Sequence, residues 1–145
     1  MGKEIDLMAN YPKAKRNLEQ RAAEKTDEER SIARQFGKDF FDGDRCYGYG
    51  GYSYHFRFWG PVVPTFKEFY NLTGESRVLD VGCGKGFMLH DLVEAVPGIS
   101  VAGIDISDYA IENCYETMEP YLRVADVRQL PFSDNFFDLS ILNNF

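Results

Sequence analysis

The segment running from Val78 through Asp80, Gly82, Gly84 and Gly86 to Leu89, VLDVGCGKGFML, constrains this chain more than any other. A short apolar run meets an acid, glycines follow on alternate positions, and a second apolar run begins. The pattern reads as a buried strand that turns through permissive backbone into a helix. Glycine serves where the chain adopts conformations closed to other residues, or where a ligand presses against main-chain atoms. A ligand held against the turn accounts for this much glycine directly behind a strand.

The residues around the turn alternate strand and helix. Ser76 to Val81 reads as a first strand. Leu89, Leu92, Val93 and Val96 then recur at helical spacing, giving one buried stripe that Pro97-Gly98 ends. Ile99 to Ile106 reads as a second strand, and Ser107 can cap a helix whose Ile111, Cys114, Tyr115 and Met118 share one face. Leu122 to Ala125 and Phe137 to Leu142 complete the set as third and fourth strands. Strands alternating with helices imply a parallel sheet with right-handed crossovers, half of a doubly wound α/β fold.

The N-terminal part is charge-rich. Pro12 can open one helix running through Leu18 to Glu24, and Thr26 with Glu29 forms a capping-box pattern that starts another. Along this second helix Ile32, Ala33, Phe36 and Phe40 fall on one face. From Asp42 to Gly60 the sequence DGDRCYGYGGYSYHFRFWG interleaves glycines with aromatic rings. It reads equally as an irregular loop packed on the core and as a lid over a ligand. Pro61 to Leu72 reads as a helix ended by Gly74. The organisation expected is therefore a helical extension over 1–44, a Gly/aromatic loop over 45–60 and a ligand-binding α/β unit over 61–145.

Composition narrows the ligand class. A net charge of −7 argues against a nucleic-acid partner, whose phosphates select basic surfaces. No apolar run is long enough to span a bilayer, and the N-terminus lacks the apolar core of a signal peptide, so no membrane partner is expected. Three scattered cysteines fit reduced thiols in the cytoplasm, and the absence of CxxC or HxxxH spacing gives no metal site.

In folds of this type the ligand lies at the carboxyl ends of the strands. A dinucleotide fingerprint needs G-x-G-x-x-G, but Gly82, Gly84 and Gly86 give G-x-G-x-G, and Phe87 occupies the last glycine position of that fingerprint. Asp105 ends the second strand roughly 20 residues beyond the turn, where a carboxylate can accept from both ribose hydroxyls. It supports an adenosine ribose under either motif.

Taken in order, VLDVGCGKG, GIDIS and VADVRQLPFSDNFFDLSILNN resemble the successive motifs of the class I S-adenosylmethionine-dependent methyltransferases, over about half the chain. An acid after the third strand, then Leu-Pro-Phe, then Asn-Phe-Phe-Asp leading into the fourth, is similar to the small-molecule methyltransferases of that group. The resemblance implies that the cofactor is S-adenosyl-L-methionine. Gly82, Gly84 and Gly86 would let the backbone approach its methionine part, with Asp80 binding the amino end directly or through water. Asp105 would hold the ribose hydroxyls and Ile106 pack on adenine. Asp126 would accept from the adenine amino group, Val127 lie against the ring, and Asn143 line the methionine and transferable methyl. Lys85, a variable position in the motif, is expected to be solvated, and His90 to be structural or exposed. Tyr47, Tyr49, Tyr52, Arg45 and His55 are placed to cover the site or touch the acceptor, and no general base is assigned.

The family's sheet has the order 3-2-1-4-5-7-6, and this chain stops after the fourth strand. The fold class expected is a Rossmann-like, doubly wound, mostly parallel sheet, incomplete at the C-terminus, with an N-terminal helical extension. Strand four would then be an edge showing Leu139, Ile141 and Leu142, open to a protein partner or to self-association. The function expected is methyl transfer to a small-molecule acceptor. The alternative is a non-catalytic S-adenosylmethionine-binding fragment or subunit that needs a partner. A nicotinamide dehydrogenase is disfavoured by the glycine spacing and by LPFSDNFFD.

Overall fold

The computed structural model of the protein describes residues 2–13 and 18–142. Asn143 and positions 14–17, in the first half of the expected first helix, lie outside the described residues. Four parallel strands form one sheet in the order β3-β2-β1-β4. They are β1 Arg77–Val81, β2 Ser100–Asp105, β3 Leu122–Val124 and β4 Leu139–Leu142. The first four strands of the expected order are thus in place, with β1 paired to both β2 and β4.

Alternation along β1 builds two cores, because successive side chains leave opposite faces of a strand. Val78 joins the larger core with Leu89 and Leu92, both fully buried, and with Val62, Val63 and Phe66. Leu79 and Val81 face the other way, toward Ile104, Phe132 and Phe137. The larger core lies under two helices, α5 (Val63–Phe69) and α6 (Phe87–Ala95). The apolar stripe read from Leu89, Leu92, Val93 and Val96 is the face of α6 that meets it. Gly98, with φ 86°, turns the chain into β2.

The N-terminal helices are short: α1 Leu18–Glu24, α2 Asp27–Ala33, α3 Lys38–Asp42 and α4 Phe56–Trp59. Pro12 and Lys13 are not helical. The capping box at α2 is complete, with Glu29 N–H donating to Thr26 Oγ1 (3.2 Å) and Thr26 N–H donating to Glu29 Oε2 (2.8 Å). The continuous helix expected through Phe40 does not form. Phe36 takes a φ of 50° and Gly37 is extended, so the chain breaks and restarts as α3. Glycine costs helix stability, and the break lets the Phe36 and Phe40 rings meet edge to face at 5.0 Å.

Two other helix boundaries differ from expectation. The helix before β1 stops at Phe69, where Asn71 (φ 51°) takes the left-handed position expected later at Gly74. The helix capped by Ser107, α7 (Asp108–Glu112), stops at Asn113. The Asn113 side-chain amide donates to the Tyr109 carbonyl, and Tyr115 N–H donates to the Lys85 carbonyl instead of continuing the helix. A 3-10 turn over Glu116–Tyr121 follows. Ile111, Cys114, Tyr115 and Met118 still reach one core, although one helix does not carry them all.

Candidate functional site

The glycine turn is built against the carboxyl end of β2. Gly82, Gly84 and Gly86 have φ of 79°, 56° and 83°, a region that side chains disfavour. Gly82 and Cys83 N–H groups both donate to the Ile104 carbonyl, at 2.8 and 3.0 Å. Gly84 N–H donates to Asp105 Oδ2 (2.8 Å), while Ser107 N–H donates to Asp105 Oδ1 (2.9 Å). Asp105 therefore braces the turn and the start of α7 together. At Gly86 the demand for glycine is double, because an added Cβ would lie 2.8 Å from the Leu122 side chain.

Asp80 lies at the same end of β1, 3% exposed, and its Oδ1 has no hydrogen-bond partner among the described residues. Burial, reinforced by the Asp105 charge, pushes its pKa up to about 8. An unpaired buried carboxylate is costly when ionised, so this site favours either a proton or an incoming cation.

A cavity of about 390 Å³ opens at this end of the sheet. It falls within the range of roughly 300–1,000 Å³ usual for small-molecule sites. Its sheet side is formed by Val81, Gly82, Gly84, Ile104, Asp105, Ile106, Ala125, Asp126 and Val127. Gly82, Gly84, Asp105, Ile106, Asp126 and Val127 are thus brought together around one space. Asp80 and Gly86 sit in the same strand-turn segment outside the lining, and Asn143 lies outside the described residues. Asp126 is held by Arg128, through Nη2 to Oδ2 at 2.5 Å and through Nε and the backbone N–H to Oδ1, both at 2.9 Å. Those hydrogen bonds hold its carboxyl down to about 2.

The opposite wall consists of rings from the N-terminal part: Phe36, Phe40, Phe41, Tyr49 and Tyr52. The Gly/aromatic loop packs on the core and also faces the cavity. Tyr52 packs on Phe87 (4.7 Å between centroids) and stacks on Tyr49 (4.4 Å), and both tyrosines line the cavity. Tyr47, Arg45 and His55 are not among its lining residues. Phe87, 7% exposed, fills the position where a dinucleotide motif keeps its third glycine for close helix packing.

Lys85 is not solvated. It is 7% exposed, and its Nζ donates to Asp42 Oδ2 (2.6 Å) and to the Tyr52 carbonyl (2.8 Å). Asp42 also accepts from Tyr109 Oη (2.6 Å) and from Tyr52 N–H (2.9 Å). Desolvation pushes Asp42 up, but the bonds from Lys85, Tyr109 and Tyr52 outweigh it and leave its carboxyl below the ordinary value. No local pattern in the sequence announces this pairing between residues so far apart along the chain. His90 is partly buried beside the Tyr115 ring (4.3 Å) and Thr117 Oγ1 (3.3 Å), a packing position. Among the described residues no cluster of three or more His, Cys, Asp or Glu can hold a metal ion, and no helix is long and apolar enough to cross a membrane.

Comparison with known proteins agrees with this geometry. Residues 78–145 match the family model of a methyltransferase domain. Over 64 residues the chain is 38% identical to the mitochondrial arginine-hydroxylase NDUFAF5 of Mus musculus, covering 43% of this chain and 18% of that protein. Over 70 residues it is 34% identical to the malonyl-(acyl-carrier protein) O-methyltransferase of Geobacter sulfurreducens, covering 46% and 26%. The structure of a putative S-adenosyl-L-methionine-dependent methyltransferase from Methanococcus maripaludis covers 58% of this chain and 41% of its own, with a TM-score of 0.51 at 17% identity, a likeness of fold. Residues 78–145, just under half of the chain, thus resemble a methyltransferase domain in sequence, and the sheet shares the fold of S-adenosylmethionine-dependent methyltransferases. It spans only a fifth to a quarter of the length of these curated relatives.

Proposed function

We propose that the chain binds S-adenosylmethionine in the cavity at the ends of β1, β2 and β3, and serves methyl transfer to a small-molecule acceptor. The observation that carries this reading is Asp80: a buried carboxylate with an unpartnered oxygen, in the same strand-turn segment as Gly82 and Gly84, which line the cavity. Such a group suits the ammonium of the cofactor's methionine end, taken directly or through a water. Each Asp105 oxygen already accepts one N–H and keeps a lone pair for one ribose hydroxyl. Ile106 and Val127, 60% and 40% exposed, offer apolar surface to the two faces of adenine. Asp126 accepts from the adenine amino group alongside Arg128.

When bound, the cofactor supplies a methyl group already activated on a sulfonium. The chain's work is then to bind, orient and exclude water, which the aromatic wall does over the glycine turn. The relatives are named for different reactions, an O-methyltransferase and an arginine-hydroxylase, so the acceptor is read from this chain's own features. The small cavity and the acidic charge favour a small molecule over nucleic acid.

A second reading is a cofactor-binding piece that turns over only with a partner; the chain matches only a fifth to a quarter of the curated relatives. Incubating the protein with methyl-labelled S-adenosylmethionine and the small-molecule fraction of a cell extract separates the two. Label appearing in a small product is the expected result. Saturable donor binding with no label transferred would support the second reading.

A further inference from the structure

The residues of the cavity's aromatic wall form a body of their own. Tyr49 N–H donates to the Phe40 carbonyl (2.9 Å) and Gly51 N–H to the Phe41 carbonyl (3.1 Å), so the loop folds back on α3. Gly48 allows that return, because a Cβ there would lie 2.2 Å from the Phe40 carbonyl oxygen. The polar ties from this body to the rest of the site converge on Asp42. One Asp42 oxygen takes Lys85 Nζ from inside the glycine turn and the Tyr109 hydroxyl from α7. The other takes Tyr52 N–H, and Lys85 also reaches the Tyr52 carbonyl. A further tie runs from Ser107 Oγ to the Phe36 carbonyl.

We propose that Asp42 is a positioning residue for the cofactor: by pairing with Lys85 and Tyr109 it clamps the wall of residues 36–52 over the glycine turn, and the bound ligand is retained behind that wall. The inference rests on the reading of the cavity as the S-adenosylmethionine site. Two features support it. Lys85 is nearly closed to solvent, and a buried cation left without its carboxylate has no cheap alternative. Tyr52 also stands directly over Gly84, its hydroxyl 3.3 Å from where a Cβ would be, so displacing the wall uncovers the turn itself. A clamp of this kind acts on ligand departure, because the ligand cannot leave until the wall swings away.

The test combines S-adenosylmethionine binding kinetics with residue-resolved amide exchange on wild type, Asp42→Asn and Tyr109→Phe. Three amides separate the outcomes: Tyr52 reports the clamp, Tyr49 the wall's internal fold, and Gly84 the glycine turn. In Asp42→Asn the Tyr52 amide loses protection while Tyr49 and Gly84 keep theirs. The ligand dissociation rate rises about tenfold or more, as expected for a lost charge-assisted bond. Tyr109→Phe shifts both readouts the same way by less. A folded Asp42→Asn protein with unchanged dissociation rate overturns the proposal. Should Asp42→Asn lose Tyr49 and Gly84 protection as well, Tyr109→Phe decides, and unchanged Tyr52 exchange and ligand kinetics in it overturn the proposal. Wild type that shows all three amides protected yet binds no S-adenosylmethionine overturns the retention role together with the cofactor reading. In that case selective loss at Tyr52 in Asp42→Asn would still establish the clamp.

Discussion

A carboxyl group shut away from water beside a second carboxylate stays protonated until a cation reaches it, and Asp80 is such a group. Its folded pKa of about 8 stands well above the ordinary 3.8, so between those values the folded state holds a proton that the unfolded state has released. Stability from this residue is fully present below the lower value. It declines as pH rises toward the higher one, by about 1.4 kcal/mol for each pH interval of one crossed on the way. Thermal unfolding of the ligand-free protein should therefore show a midpoint that falls from pH 4 to pH 8. Asp80→Asn should flatten most of that slope. Asp91, also raised chiefly by burial, would retain a part of it. S-adenosylmethionine affinity should rise over the same interval, because the ligand's ammonium selects the ionised form. A second prediction at this scale concerns Gly86. With a φ of 83° and Leu122 at 2.8 Å from a new Cβ, Gly86→Ala should cost about 2–4 kcal/mol in denaturant unfolding.

At the scale of elements, hydrophobic period and turn chemistry located most of the fold in the sequence. The run before Gly82 is β1, the stripe through Leu89 and Leu92 is α6, and the Thr26–Glu29 pattern is a working capping box. Because α2 buries no residue, its cap matters only locally. Thr26→Ala should cost about 1 kcal/mol there, seen as faster amide exchange in Asp27–Ala33 with little change in global unfolding. What the sequence concealed was decided by tertiary contacts. The break at Phe36-Gly37 follows from ring packing, and the end of α7 follows from Tyr115 N–H turning to the Lys85 carbonyl. Lys85 looked like a surface residue because its partner Asp42 belongs to another element. A comparable tie joins Tyr54 Oη to Asp91 Oδ1 at 2.5 Å, linking the aromatic loop to α6. Tyr54→Phe leaves the Asp91 carboxylate with neither oxygen bonded. It should lower stability by roughly 1–3 kcal/mol in denaturant unfolding at neutral pH, and by less in acid, where Asp91 is protonated.

For the whole molecule, the division of labour runs between a family-matched α/β segment and an N-terminal part that the family model does not reach. The segment brings the glycines and the acids at the strand ends. The N-terminal part brings the rings that close the cavity, together with Asp42. The candidate cofactor site was legible because its residues sit in short motifs tied to strand ends. The wall was legible only in part: the Gly/aromatic run points to Tyr49 and Tyr52, whereas only three-dimensional packing carries Phe36 and Phe41 to the cavity. The acceptor leaves no signature in these residues. Calorimetric titration of the chain with S-adenosylmethionine, set beside Asp105→Ala and a nicotinamide dinucleotide, tests the central claim most directly. The account predicts saturable binding of the methyl donor alone, weakened in Asp105→Ala. A folded chain that binds no S-adenosylmethionine, or that takes the nicotinamide dinucleotide equally well, would contradict it.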